Sequence, residues 1–250
     1  MNLGLRGRVA VVTGGSKGIG RGVAAALAAE GARVAVTSRS AERAAEAAAQ
    51  IGPDVRGYGF DSDDLDAIDP LMDAVRADLG DPDVYIANTG GPPTGDPFGF
   101  SREQWEAAHR SLLLSPLAIV ERVLPAMRAR GFGRIVAVGS STIREPLDFL
   151  QLSNAHRPGL VTTFKVLARQ AAADGVTFNH VHPGQILTDR ILSRHGSVEE
   201  ITEHAKHTIP AGRLGTVDEM GAVVAFLCSA QAAYVTGTAV LVDGGYSAGV

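Results

Sequence analysis

The sequence opens with a short hydrophobic strand that leads directly into a glycine-rich turn and a helix. The β-branched run 8–13 ends at Gly14, and the alanine-rich stretch 18–30 predicts a helix that ends at Gly31. The turn between them reads Thr-Gly-Gly-Ser-Lys-Gly-Ile-Gly. Glycines in such a turn let backbone N–H groups approach a phosphate at the helix N-terminus. The segment therefore predicts a pyrophosphate-binding turn at the edge of a parallel sheet.

The same alternation of strand and helix continues along the chain. Further strands are predicted at 33–37, 55–60, 84–88, 134–138, 177–181 and 239–242, and further helices at 41–50, 65–79, 102–130, 158–173 and 217–229. This pattern is typical of an α/β fold with a doubly wound parallel sheet of the Rossmann type, about seven strands with helices on both faces. No linker divides the chain, so a single domain over 1–250 is expected. The segment 189–213 has no strand and forms either a mobile lid or ordinary surface helices.

Composition narrows the classes of function. The chain has 23 Lys and Arg against 27 Asp and Glu, a net charge of −4, and no long basic run, which argues against nucleic-acid partners. No stretch is long and apolar enough for a membrane span, and no apolar leader begins the chain, so a cytoplasmic protein is expected. The chain has one cysteine, Cys228, so no intrachain disulfide can form. We expect Cys228 to be a buried core residue. His204 and His207 are interpreted as a solvated helix face, and no metal site is predicted.

The end of the second predicted strand carries no acid. An NAD site usually places Asp or Glu there for the ribose 2′-hydroxyl, whereas residues 37–40 read Thr-Ser-Arg-Ser. Arg39 would attract a 2′-phosphate, and Lys17 in the glycine turn would add a second cation. The sequence therefore favours NADP(H) over NAD(H).

Two polar residues follow the third predicted strand. Asp61 and Ser62 could contact the adenine of a nucleotide. Alternatively, Ser62 or Asp63 could cap the next helix. The sequence leaves both interpretations open.

Motifs along almost the whole chain, from Leu5 to Tyr246, resemble the short-chain dehydrogenase/reductase family. They are the turn 13–20, Asp61, Ala-Asn-Thr-Gly at 87–90, Pro-Gly at 183–184 and Asp-Gly-Gly at 243–245. The runs 209–215 and 235–245 resemble the β-ketoacyl-acyl-carrier-protein reductase branch. The resemblance implies an NADP(H)-dependent oxidoreductase that acts on a small carbonyl or alcohol substrate. It also implies a homotetramer built through the helices 102–130 and 158–173 and the last strand.

The resemblance also implies which residues hold the cofactor. They are Gly14, Ser16, Lys17, Gly18, Ile19, Gly20, Ser38, Arg39, Asp61, Ser62, Asn88, Gly90, Arg157, Pro183, Gly184, Ile186 and Thr188.

The catalytic residues of the family are only partly present. Family members use a Ser that holds the substrate carbonyl, a Tyr about 13 residues later that transfers the proton, a Lys four residues after the Tyr, and an Asn on the long helix. Ser140 matches the first position, but Ser153, Arg157 and Leu112 occupy the other three. A Ser hydroxyl is a far weaker acid than a Tyr phenol, and an Arg stays charged and cannot titrate in a proton relay.

Two replacements for the proton donor and two classes of function remain open. His156 precedes Arg157, and His182 precedes the Pro-Gly motif at the carboxyl end of a predicted strand. Either could donate a proton near neutral pH, or both are structural. The protein is then either an oxidoreductase with an altered proton transfer, or a catalytically inactive NADP(H)-binding protein that serves as a sensor or partner subunit.

Overall fold

Seven parallel strands form one sheet. The computed structural model of the chain describes residues 2–195 and 197–249. The strands in this part are β1 (Val9–Val12), β2 (Arg33–Ser38), β3 (Val55–Gly59), β4 (Val84–Ala87), β5 (Gly133–Val138), β6 (Val176–Pro183) and β7 (Ala239–Val242). Their order in the sheet is β3-β2-β1-β4-β5-β6-β7. The order reverses between β1 and β4, which opens a crevice at the carboxyl ends of these strands. The predicted doubly wound sheet is confirmed.

The helices connect these strands. Those of the described ranges are α1 (Gly18–Ala29), α2 (Ala41–Ile51), α3 (Ile68–Leu79), α4 (Arg102–His109), α5 (Ser115–Arg130), α6 (Gln151–Ala171), α7 (Asp189–His195), α8 (Val198–Thr208) and α9 (Val217–Cys228). A π-helical turn, Arg110–Leu114, joins α4 to α5. The predicted helix 102–130 is therefore helical throughout, with one wider turn inside it.

Alternating strand residues divide the interior into two apolar cores. On one face, Val11 and Tyr85 pack with α3, α5 and α6; on the other, Ala10 and Ile86 pack with α1 and α9. This is the expected result of period-two side-chain direction in a sheet covered on both faces. Cys228 is fully buried in the second core, and burial raises the pKa of its thiol to about 12. The prediction of a core cysteine is confirmed.

Two helix starts differ from prediction. The helix α3 begins at Ile68 rather than at residue 65, and its N-cap residue is Ala67, so the prediction that Ser62 or Asp63 caps it is wrong. The helix α6 begins at Gln151 rather than at the predicted residue 158 and continues through Pro158. Burial of Leu152 against the π-helical turn holds the additional first turns of α6 in place.

The segment 189–213 forms two short helices. The helix α8 begins with a capping box in which Ser197 accepts a hydrogen bond from the Glu200 N–H and the Glu200 carboxylate accepts one from the Ser197 N–H. Ile201 and Ala205 bury themselves in a small apolar cluster that also includes Tyr246 and is separate from both sheet cores. Most of the described residues of this segment are thus helical, and its movement as a lid stays a prediction.

Candidate active site

The glycine turn after β1 leaves a helix N-terminus open. Gly14 and Gly18 have φ values of +59° and +54°, in the left-handed region that favours glycine. A Cβ atom on Gly20 would collide with the carbonyl oxygen of Gly14, so the turn cannot accommodate a larger residue there. Lys17 is the N-cap of α1 and makes no side-chain cap, and the first turn holds no acid. The first N–H groups of α1 are therefore available to an anion.

Asn88 ties the turn after β1 to the end of β4. Its Nδ2 donates to the carbonyl oxygens of Thr13 (3.1 Å) and Gly14 (3.0 Å), and its backbone N–H donates to Thr13 Oγ1. Gly90 follows on the exposed loop, with open space where a Cβ would lie. The carboxyl ends of the two central strands are thus held together at the point where the strand order reverses.

The ends of β2 and β3 carry the residues predicted to choose the nucleotide. Arg39 is exposed, and no acid stands between residues 37 and 40. Ser40 caps α2 by accepting from the Arg43 N–H, so Arg39 lies just before that helix. Asp61 Oδ1 accepts the Asp63 N–H. Ser62 caps no helix, which leaves the adenine interpretation of Asp61 and Ser62. That role stays a prediction.

The loop after β6 closes the other side of the crevice. Pro183 ends β6, and Gly184 approaches Asp243 so closely that a Cβ would lie 2.6 Å from the Asp243 Cβ. The Thr188 methyl group lies 3.4 Å from the Cβ position of Gly18, so this loop contacts the glycine turn. The glycine turn thus contacts both the end of β4 and the loop after β6, whereas the binding of a nucleotide by the predicted residues stays a prediction.

Ser153 and Arg157 contact each other at the carboxyl end of β5, next to the loop that carries Ser140. Arg157 Nε donates to Ser153 Oγ (3.2 Å), and its Nη1 donates to the carbonyl oxygen of Val138 (2.8 Å). Ser140 Oγ accepts from Thr142 Oγ1 (3.0 Å). Burial, together with repulsion from Arg190, lowers the pKa of Arg157 to about 10, so its guanidinium stays charged at neutral pH. Ser153 is nearly fully buried and serves as an acceptor.

Leu112 leaves no polar group where the family places its Asn. Its side chain is buried in a small apolar cluster with Ala108 and Leu152, next to Trp105. The π-helical turn that holds it packs against α6. A hydrocarbon side chain there offers no hydrogen bond to a water in a proton relay.

His156 does not share a site with Arg157. Its ring packs beside Trp105 and His109, at centroid distances of 5.7 and 5.6 Å, and its Nδ1 lies 2.7 Å from the Leu152 carbonyl oxygen. The His156 ring therefore lies on the face of α6 that packs against α4.

His182 is buried beside the loop that carries Ser140. It is 1% exposed, neither ring nitrogen has a hydrogen-bond partner, and its ring packs against Gly139. The pKa of His182 is lowered to about 4. Burial is the largest cause, and the positive charges of Arg144 and Arg157 add smaller effects. The adjacent His180, with ring centroids 5.9 Å apart, is also buried, and its pKa is lowered to about 3. Both rings are neutral at pH 7.

The remaining histidines on α8 are solvent-facing. His207 is exposed and contacts Glu203, which also pairs with Lys206. Within residues 2–195 and 197–249, no group of three His, Cys, Asp or Glu side chains is arranged to hold a metal ion. No helix in the same ranges is long and apolar enough to cross a bilayer.

Two arginines at this edge of the sheet belong to none of the sequence motifs. Arg190 lies two residues after Thr188, and its Nη2 lies 3.4 Å from the Pro92 carbonyl oxygen on the loop after β4. Arg144 follows the short helical turn after Ser140. Their sequence signal is that Arg144 and Arg190 follow predicted strands, at the carboxyl edge of the sheet, where α/β ligands bind.

The strand order and the open N-terminus of α1 at the strand reversal are typical of doubly wound α/β domains that bind dinucleotides. A family model described as enoyl-(acyl carrier protein) reductase matches residues 14–247. The chain belongs to the short-chain dehydrogenase/reductase family.

Its relatives are oxidoreductases. The 3-oxoacyl-(acyl-carrier-protein) reductase of Escherichia coli is 34% identical over 245 residues, which cover 97% of this chain and 98% of that protein. The crystal structure of L-sorbose reductase from Gluconobacter frateurii, complexed with NADPH and L-sorbose, is 28% identical and covers both chains completely, with a TM-score of 0.93. A blue fluorescent protein from a metagenomic library, in complex with NADPH, is 31% identical with a TM-score of 0.88, covering 98% of this chain and 99% of its own. The resemblance inferred from the motifs is confirmed.

The buried His182 predicts an acid-sensitive fold. Its pKa in the fold is about 4, below the ordinary 6.5, so between these values the unfolded chain takes up a proton that the folded site refuses. This contribution to stability is present above pH 6.5 and is lost as the pH falls to 4, by at most about 3 kcal/mol. Urea unfolding at pH 7, 6 and 5 should show a steeper loss for the wild type than for His182→Leu. The exposed control His207→Leu should follow the wild type, and parallel curves for all three would contradict the assignment.

Proposed function

We propose that the protein is an NADP(H)-dependent oxidoreductase that interconverts a carbonyl and an alcohol without the family's Tyr and Lys. The observation that carries this proposal is the open N-terminus of α1 at the strand reversal, on the same edge of the sheet as Ser140 and Arg39. The open N-terminus of α1 suits the pyrophosphate, and Arg39 suits a 2′-phosphate. Solved relatives bound to NADPH support the same cofactor class.

The residues present fit the cofactor. The turn 13–20 would hold the pyrophosphate, and Arg157 would reach the nicotinamide ribose, where the family places its Lys. When bound, NADPH supplies the hydride, which is the cofactor's own chemistry. Ser140 Oγ would then donate a hydrogen bond to the substrate carbonyl oxygen.

Arg157 would stabilise the negative charge that develops on the substrate oxygen during hydride transfer. Hydride addition to a carbonyl carbon builds negative charge on oxygen, and a fixed cation near that oxygen stabilises it. The guanidinium reaches the backbone of Val138, two residues before Ser140, so its charge lies at the same strand end. The proton for the product oxygen then comes from water, because His182 and His180 are neutral at pH 7 and Ser153 accepts a hydrogen bond from Arg157.

A second candidate function is an NADP(H)-binding protein without turnover. It is favoured by the buried Leu112 and by the use of Ser153 Oγ as an acceptor, which together remove the family's proton relay. Two measurements made together separate the candidates: a binding titration with NADPH, and NADPH oxidation over a broad panel of ketones and aldehydes. Binding with turnover of at least one carbonyl supports the enzyme, and tight binding without turnover of any of them supports the binding protein.

Arg39 predicts the nucleotide preference. We expect NADPH to bind at least tenfold more tightly than NADH, a difference of about 1.4 kcal/mol that one charge-assisted pair can supply. The substitution Arg39→Gln should bring the two affinities within about threefold, chiefly by weakening NADPH. Fluorescence titration measures both constants. The matched control is Arg33→Gln at the other end of β2, also exposed, which should keep the preference. Equal affinities in the wild type would overturn the proposal for Arg39.

The missing Tyr and Lys predict low activity on the substrates of the reductase branch. A well-matched general acid contributes roughly 10²–10⁴ in rate, and Ser153 is not one. Little NADPH oxidation is therefore expected with β-keto thioesters. The double substitution Ser153→Tyr with Arg157→Lys restores the family's pair at its spacing of four residues and should raise that rate.

Arg157→Lys alone is the matched control, because it removes the guanidinium without supplying an acid, and it should not raise the rate. Circular dichroism checks that the buried Tyr is tolerated. Wild-type turnover of β-keto thioesters at family-typical rates, abolished by the double substitution, would show that Ser153 and Arg157 belong to a different working site.

We also propose a homotetramer, as the family resemblance implies. Val166 on α6 and Phe226 on α9 are exposed apolar residues, 55% and 42% accessible, and every residue of the edge strand β7 is only partly buried. Such surfaces are typical of faces that a second subunit covers. Light scattering at micromolar concentration should report four times the 25.9 kDa of the chain. A monomer would contradict the proposal.

A further inference from the structure

A cavity of about 530 Å³ lies at the amino-terminal edge of the sheet, opposite the edge that carries the glycine turn. It is formed by the segment before β1, the start of β2, the loop after α3 and the end of α5. Its charged lining residues are Arg6, Arg8, Arg33, Asp81, Asp83 and Arg130. We propose that this cavity binds the phosphate group of a small phosphorylated metabolite, such as a sugar phosphate, through Arg6 and Arg33. The cavity is separate from the proposed nucleotide site, so this inference does not depend on the proposed function.

Backbone contacts bring the arginines of this cavity together. Arg33 begins β2, and its N–H donates to the carbonyl oxygen of Arg8 (2.8 Å). The Nη2 of Arg33 lies 3.7 Å from the position that a Cβ of Gly80 would occupy. The Cγ of Arg6 lies 3.4 Å from the corresponding position at Gly31. The side chains thus enter the cavity from the ends of neighbouring elements whose relative positions the sheet fixes.

The two acids of the cavity are already engaged. Asp83 Oδ1 accepts from Arg8 Nη1 (3.2 Å), and its Oδ2 accepts a backbone N–H (3.0 Å). The two carboxylate oxygens of Asp81 pair with Arg76 (3.3 Å) and Arg130 (3.5 Å). A carboxylate that is paired with a guanidinium repels a further anion only weakly, because the two charges largely cancel at a distance. These pairs also hold Arg8 and Arg130 in place.

Arg6 and Arg33 have free donors. Both side chains are exposed, and within residues 2–195 and 197–249 neither forms an ion pair or donates a side-chain hydrogen bond. Each guanidinium carries five N–H groups in a planar fork. Four arginines face two aspartates in the lining, so the cavity is positive in a chain whose net charge is −4.

A phosphate monoester suits this arrangement better than a carboxylate does. Its three terminal oxygens can be shared between two guanidinium groups, whereas the two oxygens of a carboxylate fill a single fork. It carries a charge of about −2 at neutral pH, which matches the excess of arginines over aspartates in the lining. The cavity volume falls in the range of sites for small molecules, about 300–1,000 Å³, so the sugar attached to such a phosphate fits as well.

The cofactor does not account for this cavity. The strand β2 runs from Arg33 at the cavity to Ser38 at the nucleotide edge, about 16 Å along an extended strand. One phosphate group therefore cannot contact both Arg33 and Arg39, and the two sites can be occupied independently.

The experiment compares a phosphate with a carboxylate on the same sugar. The protein is titrated by calorimetry with glucose 6-phosphate, with glucuronate and with a hexaglutamate peptide, all at one ionic strength. We expect glucose 6-phosphate to bind with a Kd of about 1 mM or below, and glucuronate to bind at least tenfold more weakly. Equal binding of the two sugars, or no binding of glucose 6-phosphate, overturns the proposal. Tighter binding of hexaglutamate would assign the cavity to an acidic protein segment and would also overturn it.

Variants assign the binding to the cavity. Arg6→Gln and Arg33→Gln should each weaken the binding of glucose 6-phosphate at least about fivefold, because each removes one guanidinium fork. The matched control is Arg102→Gln, an exposed arginine on α4, which should keep the wild-type affinity. Unchanged binding in either cavity variant contradicts the proposal. Arg39→Gln should also keep the affinity, and a loss there would place the phosphate at the nucleotide edge and overturn the proposal.

Chemical modification gives a second measurement on the unaltered protein. Phenylglyoxal reacts with accessible guanidinium groups, and peptide mass spectrometry follows the reaction at each arginine. Saturating glucose 6-phosphate should slow the modification of Arg6 and Arg33 at least about threefold and leave Arg102 unaffected. Equal rates at Arg6 and Arg33 with and without the sugar phosphate would reject the site. Neither measurement uses NADPH, so the result is distinguishable from success or failure of the proposed function.

Discussion

The contact between the turn after β1 and the end of β4 is the constraint on which the rest of the site depends. Asn88 donates two hydrogen bonds across it, and Gly20 allows the helix to approach the Gly14 carbonyl. This contact holds the turn before α1 against the carboxyl end of β4. It therefore also sets the position of the crevice and the direction of the α1 N-terminus. The loops after β5 and β6 start at this same carboxyl edge of the sheet, so residues that contact a substrate are expected on these loops.

Most of the fold could be predicted because its signals are local. The β-branched runs gave the strands β1 to β7 to within about two residues at each end, and glycine ended α1 as expected. The start of α6 could not be predicted, because packing of Leu152 outweighs the local signal of Pro158. The resemblance placed Ser153 and Arg157 at the positions of the family's Tyr and Lys, and the structure brings their side chains into contact. Arg190 could not be placed, since no local pattern relates a residue after β6 to the loop after β4.

The replacement of a Tyr–Lys pair by Ser153 and Arg157 changes the electrostatic character of the cleft. A Lys that lowers the pKa of a Tyr creates a proton donor, whereas an Arg that donates to a Ser hydroxyl leaves a permanent charge. The two buried neutral histidines on β6 add hydrogen-bonding capacity without adding charge. Ser153 and Arg157 therefore keep a fixed positive charge where the family has a proton donor.

The small apolar cluster under α8 allows this segment to unfold locally, separately from the two sheet cores. Ile201, Ala205, Ile209 and Leu214 are buried together but share no core with the sheet. Opening this segment would expose only that cluster, so its free energy is far below that of global unfolding. A ligand that contacts this segment would add its binding free energy to this weak local stability. Occupancy of the cleft would then be recorded as slower amide hydrogen exchange in α8, with the sheet unaffected.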